Sequence, residues 1–363
     1  MTGPDSEIEG EDDSKASGWG QYPLDSVFVR TEPRTVGDVV KRIIAGRYQL
    51  DPEFQRDFVW AIDKQSKLIE SCLMRIPLPV FYVAEAKDGR IVVVDGLQRL
   101  TTFQRYLSND FAITGLGDDH EMKGKRFSDL PIALQERLED TPLIFYILDA
   151  KAPERARLDI FDRVNGGVPL SRQQMRNCLY NGNATQWLKQ ASDSGAFLRA
   201  TDRSLDRKSM RDREAINRFC AFKLLGAKEY TAGDMDGFLA QTLERMNSID
   251  DQARADLMLA FERSMSANFR LFGKHAFRKS LAANVHSART IVNIALFDVC
   301  SVLLTDFPED ATDNQVNDMR IAFKLLLEDA EFKYAIGYST NSTRQVNKRF
   351  SLAEQAISIA DLI

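Results

Sequence analysis

The sequence is poor in the residues that build metal centres and disulfide frameworks. Its 363 residues include three histidines and four cysteines. The cysteines are far apart and form no CxxC pair, which argues against a zinc site or a disulfide scaffold. No histidine lies in a His-Asn-His type signature, so we expect no nuclease of that class within this chain.

Long apolar runs and an excess of positive charge are also lacking. The longest apolar run, Ile291 to Leu304, is interrupted by Asn293 and Asp298, and it is shorter than the roughly 20 residues that span a bilayer. A basic flank followed by an apolar stretch is absent near the N-terminus, so we expect a cytoplasmic protein with no membrane contact. The net charge of −5 argues against a uniformly basic surface, although it leaves room for a local basic groove.

Composition and periodicity predict an acidic tail followed by two domains. Residues 1–26 contain a run of acidic side chains opposed by Lys15 among glycines and serines, which is typical of a disordered tail. Strand and helix patterns are mixed in residues 27–180, whereas residues 181–363 have almost purely helical periodicity. We therefore expect an α+β protein, with a small mixed sheet in the first domain and an all-α second domain.

The centre of the first domain is predicted to be a β-hairpin that leads into a helix. Two β-rich runs, residues 80–84 and 91–94, flank an Asp-Gly pair, which is a strong hairpin signal. The second run is apolar without interruption, so it should be a buried central strand. It is followed directly by Asp95-Gly96 and then by helical periodicity over about residues 97–107.

The corner between that strand and that helix has the chemistry of an anion site. It combines a carboxylate, Asp95, a tight turn at Gly96 and the free N–H groups of a helix start. Gln98 could orient a water molecule, and Arg99 could bind phosphate oxygens through two hydrogen bonds. Asp95 could hold Mg²⁺, which prefers one or two carboxylates together with substrate phosphates. On these residues alone the signal is weak, because Asp-Gly occurs in many turns and Arg99 could simply pair with a surface carboxylate.

Several segments, taken in order, resemble a known family. They are Pro52–Arg56 with Trp60, Leu68–Ser71, Ile76–Pro79, Val94–Thr102, Phe161–Ser171, Asp212–Glu214 with Arg218 and Phe219, and Thr340–Phe350. In this combination, the first domain resembles the N-terminal domain of GmrSD-type restriction enzymes. The resemblance extends from about residue 27 to the C-terminus and is closest to stand-alone members of that family.

The resemblance implies a fold and a function for the first domain. The fold would be similar to ParB and sulfiredoxin, and the function would belong to restriction or phage defence. The family's Asp-Gly-Gln-Gln-Arg motif is associated with nucleoside triphosphate binding and hydrolysis. It falls here on Asp95, Gly96, Gln98 and Arg99, with Leu97 in place of the first glutamine. This replacement puts hydrolysis in doubt but leaves nucleotide binding with Mg²⁺ as the leading hypothesis.

The same resemblance supplies further candidates for the nucleotide site. Arg56 lies in the other signature segment and is a second phosphate-binding candidate, with an ion pair that fixes the loop as the alternative. Gln55 could help to position that loop. Asn165, in Asn-Gly-Gly, could bring backbone close to a ligand, although glycines after a helix more often serve as a C-cap. Trp60 is interpreted as a core residue rather than a base-stacking platform.

Two basic clusters are candidate contacts to DNA phosphates. The first, within residues 203–213, is interleaved with acidic residues, so we favour a network of ion pairs there. The second consists of Arg344, Lys348 and Arg349, is less neutralised, and is the better candidate for a DNA-facing patch.

Three functions remain open at this point. The leading hypothesis is a nucleoside triphosphate-binding protein of a restriction or defence system, a Mg²⁺-dependent NTPase if it also hydrolyses the nucleotide. The first alternative is a non-enzymatic module that binds DNA or gates a partner, and the second is a DNA-nicking nuclease. Expected partners are the nucleotide, DNA and a separately encoded nuclease or methyltransferase, and the oligomeric state is undetermined.

Overall fold

A computed structural model describes residues 8–9, 29–50, 60–86, 88–115, 121–152, 156–160, 171–282 and 288–359. The chain divides into two units. The sheet unit comprises Trp19–Leu170 and Asn177–Leu179, and the helical unit comprises Met1–Gly18, Ser171–Arg176 and Tyr180–Ile363. The predicted domain boundaries at residues 26 and 180 stay predictions.

The described strands are β1 (Ile8–Glu9), β2 (Val29–Thr35), β3 (Tyr48–Gln49), β4 (Phe81–Glu85), β5 (Ile91–Asp95), β6 (Pro142–Leu148) and β7 (Val292–Asn293). Strands β2 to β6 form a mixed sheet in the order β2-β6-β4-β5-β3. The antiparallel pairing of β4 with β5 confirms the predicted hairpin. Strand β5 also has β3 on its other side, in parallel, and Val92 and Val93 are each 1% exposed, as expected for a central buried strand.

Helices cover the sheet and build the core of this unit. They are α1 (Val36–Ile44), α2 (Ile62–Leu73), α3 (Leu97–Leu107) and α4 (Ile132–Glu139), with further helical residues at 156–160. Thr35 caps α1, since its Oγ1 accepts a hydrogen bond from the Asp38 N–H. The predicted apolar face of α2 is buried against the sheet-unit core, which also holds Leu100 and Phe103 of α3.

The helical unit is described as a set of packed helices. These are α5 (Arg172–Leu179, shared with the sheet unit), α6 (Asn183–Asp193), α7 (Gly195–Ala200), α8 (Arg211–Leu224), α9 (Met235–Ser248), α10 (Asp251–Phe272), α11 (Ile294–Leu303), α12 (Asp313–Glu328), α13 (Ala330–Gly337) and α14 (Thr343–Ile359). The α+β class, with a small sheet first and helices second, is therefore confirmed. The likeness to ParB and sulfiredoxin stays a prediction.

Ile8 and Glu9 depart from the predicted disordered tail. Ile8 pairs with Val292 and Glu9 pairs with Asn293 in a parallel arrangement. Lys279 Nζ donates a hydrogen bond to the Glu9 carboxylate. These two residues of the acidic tail are thus ordered, because they complete a short β-pair and an ion pair, and the rest of the tail lies outside the described residues.

Within the described ranges, no helix is both long enough and apolar enough to cross a membrane. The apolar run noted in the sequence contains α11, which has only 10 residues.

The four cysteines are buried and unbonded to one another. Burial raises the pKa of the Cys72 thiol to about 12 and raises the pKa values of Cys220 and Cys300 as well. Because the thiolate is the reactive form, these side chains should be chemically inert in the folded chain.

We expect the folded protein to react only slowly with Ellman's reagent at pH 8, since burial both shields the thiols and keeps them protonated. All four cysteines should react after denaturation in guanidinium chloride. The control is Ser351→Cys, which places one thiol at an exposed position of α14 and should react at once. A native cysteine that reacts as fast as residue 351 in this variant would contradict the expectation.

Candidate functional site

The Asp-Gly corner is held by a glycine that no other residue could replace without strain. Asp95 is the last residue of β5, and Gly96 precedes the first residue of α3. Gly96 has a φ of +102°, in the left-handed region that favours glycine. A Cβ atom there would also overlap the Phe81 ring, lying 2.9 Å from Cε1. Backbone conformation and close packing therefore both require glycine.

Phe81 forms the apolar floor of this corner. The residue lies on β4, is fully buried, and is paired in register with Phe145 of β6. The two rings stack with centroids 5.1 Å apart and planes 23° apart. The packed sheet core thus fixes the position of the Phe81 ring, and this ring in turn fixes the corner that packs on it.

Arg99 is bonded to the protein on several sides. Its guanidinium lies over the Phe81 ring at 4.2 Å from the centroid. Nη1 donates to the carbonyl of Pro79, while Nη2 donates to the carbonyl of Val80 and to Asp95 Oδ2, both at 3.1 Å. Both Nη atoms therefore already have partners within the sheet unit. This geometry favours the alternative in which Arg99 pairs with a carboxylate over the predicted two-bond grip on a phosphate.

The corner places a buried cation beside an accessible carboxylate. The Arg99 side chain is only 11% exposed, whereas the Asp95 side chain is 45% exposed. Burial lowers the pKa of Arg99, and the nearby charge and hydrogen bond of Asp95 oppose this shift. Asp95 thus stabilises the charged guanidinium while keeping nearly half of its side chain open to solvent. A cation in solution could reach this carboxylate.

A hydrogen bond of the Gln98 side chain links the start of α3 to Trp60, which lies two residues before α2. Its Oε1 atom accepts a hydrogen bond from the Trp60 N–H at 3.3 Å. Gln65 Nε2 donates to the Trp60 carbonyl, and Arg105 donates to Gln65 Oε1. The Trp60 ring packs against the sheet-unit core, with Lys64 Nζ 4.6 Å from its centroid. This packing agrees with the interpretation of Trp60 as a core residue.

Three predicted site residues, Gln55, Arg56 and Asn165, lie outside the described residues. The described flanks of residues 51–59 both adjoin the corner's own elements. On one side β3 pairs with β5, and on the other Trp60 is bonded to Gln98. The proposed contacts of Gln55, Arg56 and Asn165 with nucleotide stay predictions.

The predicted DNA-facing patch loses one member, because Arg349 is buried. This side chain is 0% exposed, and it donates to Asp298 Oδ2 at 2.6 Å and to the Thr340 carbonyl at 2.5 Å. Burial lowers the pKa of Arg349 to about 10, so the guanidinium stays charged at neutral pH. Arg349 lies on the inner face of α14, whereas Arg344 is exposed and Lys348 is 40% exposed. Of the three predicted members of the patch, Arg344 and Lys348 remain accessible to solvent.

Asp298 binds a second buried arginine that the sequence reasoning did not single out as structural. Arg218 donates from Nε to Asp298 Oδ1 at 2.8 Å and from Nη2 to Oδ2 at 2.6 Å. Burial is the largest single influence and would lower the pKa of Arg218, but the charge and hydrogen bond of Asp298, together with Glu214 and Tyr230, outweigh it and the pKa is raised. One carboxylate in α11 thus joins guanidinium groups from α8 and α14. The sequence feature that could have indicated this buried cluster is Asp298, a charged residue inside the apolar run Ile291 to Leu304.

The first basic cluster supports its interpretation as a network of ion pairs. Arg207 pairs with Asp193, and its Nε lies 3.7 Å from Asp212 Oδ2. Asp206 accepts hydrogen bonds from Ser209 within its own loop. These acidic partners reduce the positive field that a nucleic acid would meet here.

The described residues contain no group of three or more His, Cys, Asp or Glu side chains arranged to bind a metal ion. A cavity of about 530 Å³ in the helical unit lies between α6 and α10, and its lining includes Gln186, Gln190 and Met258. Its lining also includes Asp251 and Arg254, which pair with each other, so the cavity offers amide groups, an ion pair and apolar surface. The Asp95–Arg99 corner therefore remains the candidate site.

The Asp95–Arg99 corner lies within a segment that matches a known protein family. Residues 36–181 match the family model described as GmrSD restriction endonuclease, N-terminal domain. The matched range contains β3 to β6 and the whole Asp95–Arg99 corner. No curated protein and no solved structure matches the chain. The family match indicates a function related to restriction or defence.

Gly96→Ala should lower the free energy of unfolding by about 2–5 kcal/mol, because it adds left-handed backbone strain to a steric overlap with Phe81. Gly46→Ala is the matched control. Gly46 has a φ of +70°, but a Cβ there meets nothing within 4 Å, so only the backbone strain of about 1–2 kcal/mol applies. Urea unfolding followed by circular dichroism measures both, and equal losses would refute the packing argument.

Asp298→Asn should destabilise the helical unit by about 3–5 kcal/mol, because two buried guanidinium groups lose their shared counter-charge. Asp306→Asn serves as the control, since this carboxylate is 71% exposed and lies 3.7 Å from Lys223. Its loss should cost less than about 1 kcal/mol. Urea unfolding monitored at 222 nm reports mainly on the helices. A similar small effect at both positions would show that the buried cluster is not a major source of stability.

Proposed function

We propose that this chain binds a nucleoside triphosphate with Mg²⁺ at the Asp95–Arg99 corner, because residues 36–181 match the family model of the GmrSD restriction endonuclease N-terminal domain. It would do so as part of a restriction or defence system. The observation that carries the proposal is an accessible carboxylate held at the start of a helix by a buried arginine.

The backbone at this corner suits an anion. Helix α3 begins after Gly96 without a hydrogen bond from a capping side chain. The N–H groups of its first turn point along the helix axis, where the helix dipole also favours negative charge. Phosphate oxygens can bind there, and Arg56 is the proposed side-chain partner. The described residues on either side of its segment contact the corner, since β3 pairs with β5 and Trp60 is bonded to Gln98. These contacts are consistent with that role.

The carboxylate of Asp95 supplies a ligand for the metal. Mg²⁺ commonly binds proteins through one or two carboxylates and completes its shell with water and substrate phosphates. A single accessible aspartate is therefore sufficient when a triphosphate is present. Arg99 is assigned a positioning role, because it fixes the Asp95 carboxylate and the Pro79–Val80 backbone through its Nη atoms.

Binding is favoured over rapid hydrolysis. Leu97, which replaces the first glutamine of the family motif, is 8% exposed and packs in the sheet-unit core. It has no polar group to offer to a nucleotide or a water molecule. Gln98 retains an amide that could orient a water molecule, but its oxygen already accepts from Trp60. We therefore expect turnover to be slow relative to nucleotide binding.

The same two observations support a second candidate function. With Leu97 in the core and Gln98 bonded to Trp60, the domain could bind nucleotide without hydrolysing it and act as a non-enzymatic DNA-binding or partner-gating module. No described feature favours the alternative in which this chain nicks DNA itself.

Isothermal titration of the full chain with ATP, GTP, CTP and UTP tests the proposal. At least one nucleotide should bind more tightly with Mg²⁺ than with EDTA. Asp95→Asn should lose at least about tenfold in affinity when Mg²⁺ is present, a loss of about 1.4 kcal/mol, because the metal loses a charged ligand. The control is Asp110→Asn, an exposed aspartate just beyond α3, which should bind as the wild type does.

Two results would refute the site. One is the absence of binding by all four nucleotides, and the other is an Asp95→Asn variant with unchanged Mg²⁺-dependent affinity. Phosphate release then separates the two candidate functions. Turnover that Gln98→Ala abolishes supports an NTPase, whereas binding without any release supports the non-enzymatic module.

A further inference from the structure

Two exposed tyrosines lie four residues apart at the C-terminal end of α13, with Tyr334 inside the helix and Tyr338 directly after its last residue. Tyr334 is 53% exposed and Tyr338 is 65% exposed. Their rings stack with centroids 5.3 Å apart and planes 26° apart. Aromatic rings contribute large areas to cores and interfaces, so a stacked pair left in solvent is an unusual use of this side chain. The pair forms an aromatic platform on the surface of the helical unit.

An ion pair sets the register between this platform and the cations of α14. Lys348 Nζ lies 2.5 Å from the Glu331 carboxylate, so the start of α13 faces the second turn of α14. The helices pack together and are joined by only residues 338–342, which makes them antiparallel neighbours. Tyr334 is three residues after Glu331, and Arg344 is four residues before Lys348. Since residues at these spacings share a helix face, Arg344 falls at the level of the tyrosines.

We propose that the α13–α14 surface, made of Tyr334, Tyr338, Arg344 and Lys348, binds single-stranded nucleic acid. Bases would stack on the tyrosine rings, and phosphates would meet the two cationic side chains. This function goes beyond nucleotide binding at the Asp95–Arg99 corner and does not depend on it. Only unpaired bases fit, because the base faces of a duplex are covered by their neighbours.

The chemistry of the surface favours nucleic acid over an apolar protein partner. Among the described residues 330–358, the exposed large hydrophobic side chains are the two tyrosines, whereas the exposed Ile321 and Leu325 lie on the preceding helix, α12. The neighbouring Arg344 is exposed and carries the positive charge that a phosphate backbone complements. Glu331 offsets Lys348, so the electrostatic contribution should come mainly from Arg344.

Fluorescence anisotropy of the full chain with a labelled oligothymidylate of about 20 nucleotides tests the proposal. The titration contains neither nucleoside triphosphate nor Mg²⁺, so its outcome is independent of the nucleotide proposal. The wild type should bind this strand more tightly than a duplex of the same length. Tyr334→Ala and Tyr338→Ala should each weaken binding about 5- to 150-fold, whereas Tyr338→Phe keeps the ring and should bind nearly as the wild type does.

Arg344→Ala should reduce the slope of affinity against salt concentration by about 0.7, the value for one phosphate contact on a single strand. The matched controls are Phe269→Ala, an aromatic residue that is 42% exposed on α10, and Arg263→Ala, an arginine that is 61% exposed on the same helix. Both should bind the strand as the wild type does.

The proposal is overturned if the wild type binds no single strand at 50 mM salt, or if the Tyr334→Ala, Tyr338→Ala double variant retains wild-type affinity. It is also overturned if the tyrosines instead hold two copies of the chain together. In that case sedimentation would show a wild-type dimer that the double variant lacks, without any binding of the oligonucleotide.

Discussion

The ring of Phe81 leaves room for nothing larger than glycine at residue 96, and much of the sheet unit depends on this contact. Phe145, at the paired position of the neighbouring strand β6, stacks on the Phe81 ring and fixes its position. Above the ring, the chain turns from β5 into α3 with a left-handed residue, and Arg99 places its guanidinium against the same ring. The direction of α3 and the position of Asp95 therefore follow from one aromatic side chain in the core.

Desolvation determines how the arginines of this protein are used. A guanidinium that is taken out of water must recover its hydration through hydrogen bonds and opposite charge. Arg99 recovers it through two carbonyls and Asp95, and Arg218 and Arg349 recover it through Asp298. The hydrogen-bond donors named here on these arginines already have partners within the protein. Ligand phosphates are therefore better served by backbone N–H groups at a helix start or by exposed cations.

The two proposed binding sites, one in each unit, differ in their chemistry. In the sheet unit, a helix start, a single accessible carboxylate and a positioning arginine are gathered at one corner, which suits a small ligand with its metal ion. In the helical unit, exposed rings and an exposed guanidinium lie on neighbouring helices, which suits an extended polymer. Each arrangement has its own chemistry, and a chain that carries both could bind a nucleotide and a nucleic acid at once.

Local patterns in the sequence determined the hairpin of β4 and β5, the glycine turn, the cap of α1 and most helices, because these depend on residues close together in the chain. The family resemblance located the corner as a candidate site. Only the tertiary structure decided which charged side chains are buried. Arg344, Lys348 and Arg349 look alike in the sequence, yet Arg349 faces Asp298, a residue 51 positions away. The burial of Arg349, the hydrogen bonds of Arg99 within the protein and the exposure of the tyrosine pair all result from packing between distant segments. No local sequence pattern predicts these features.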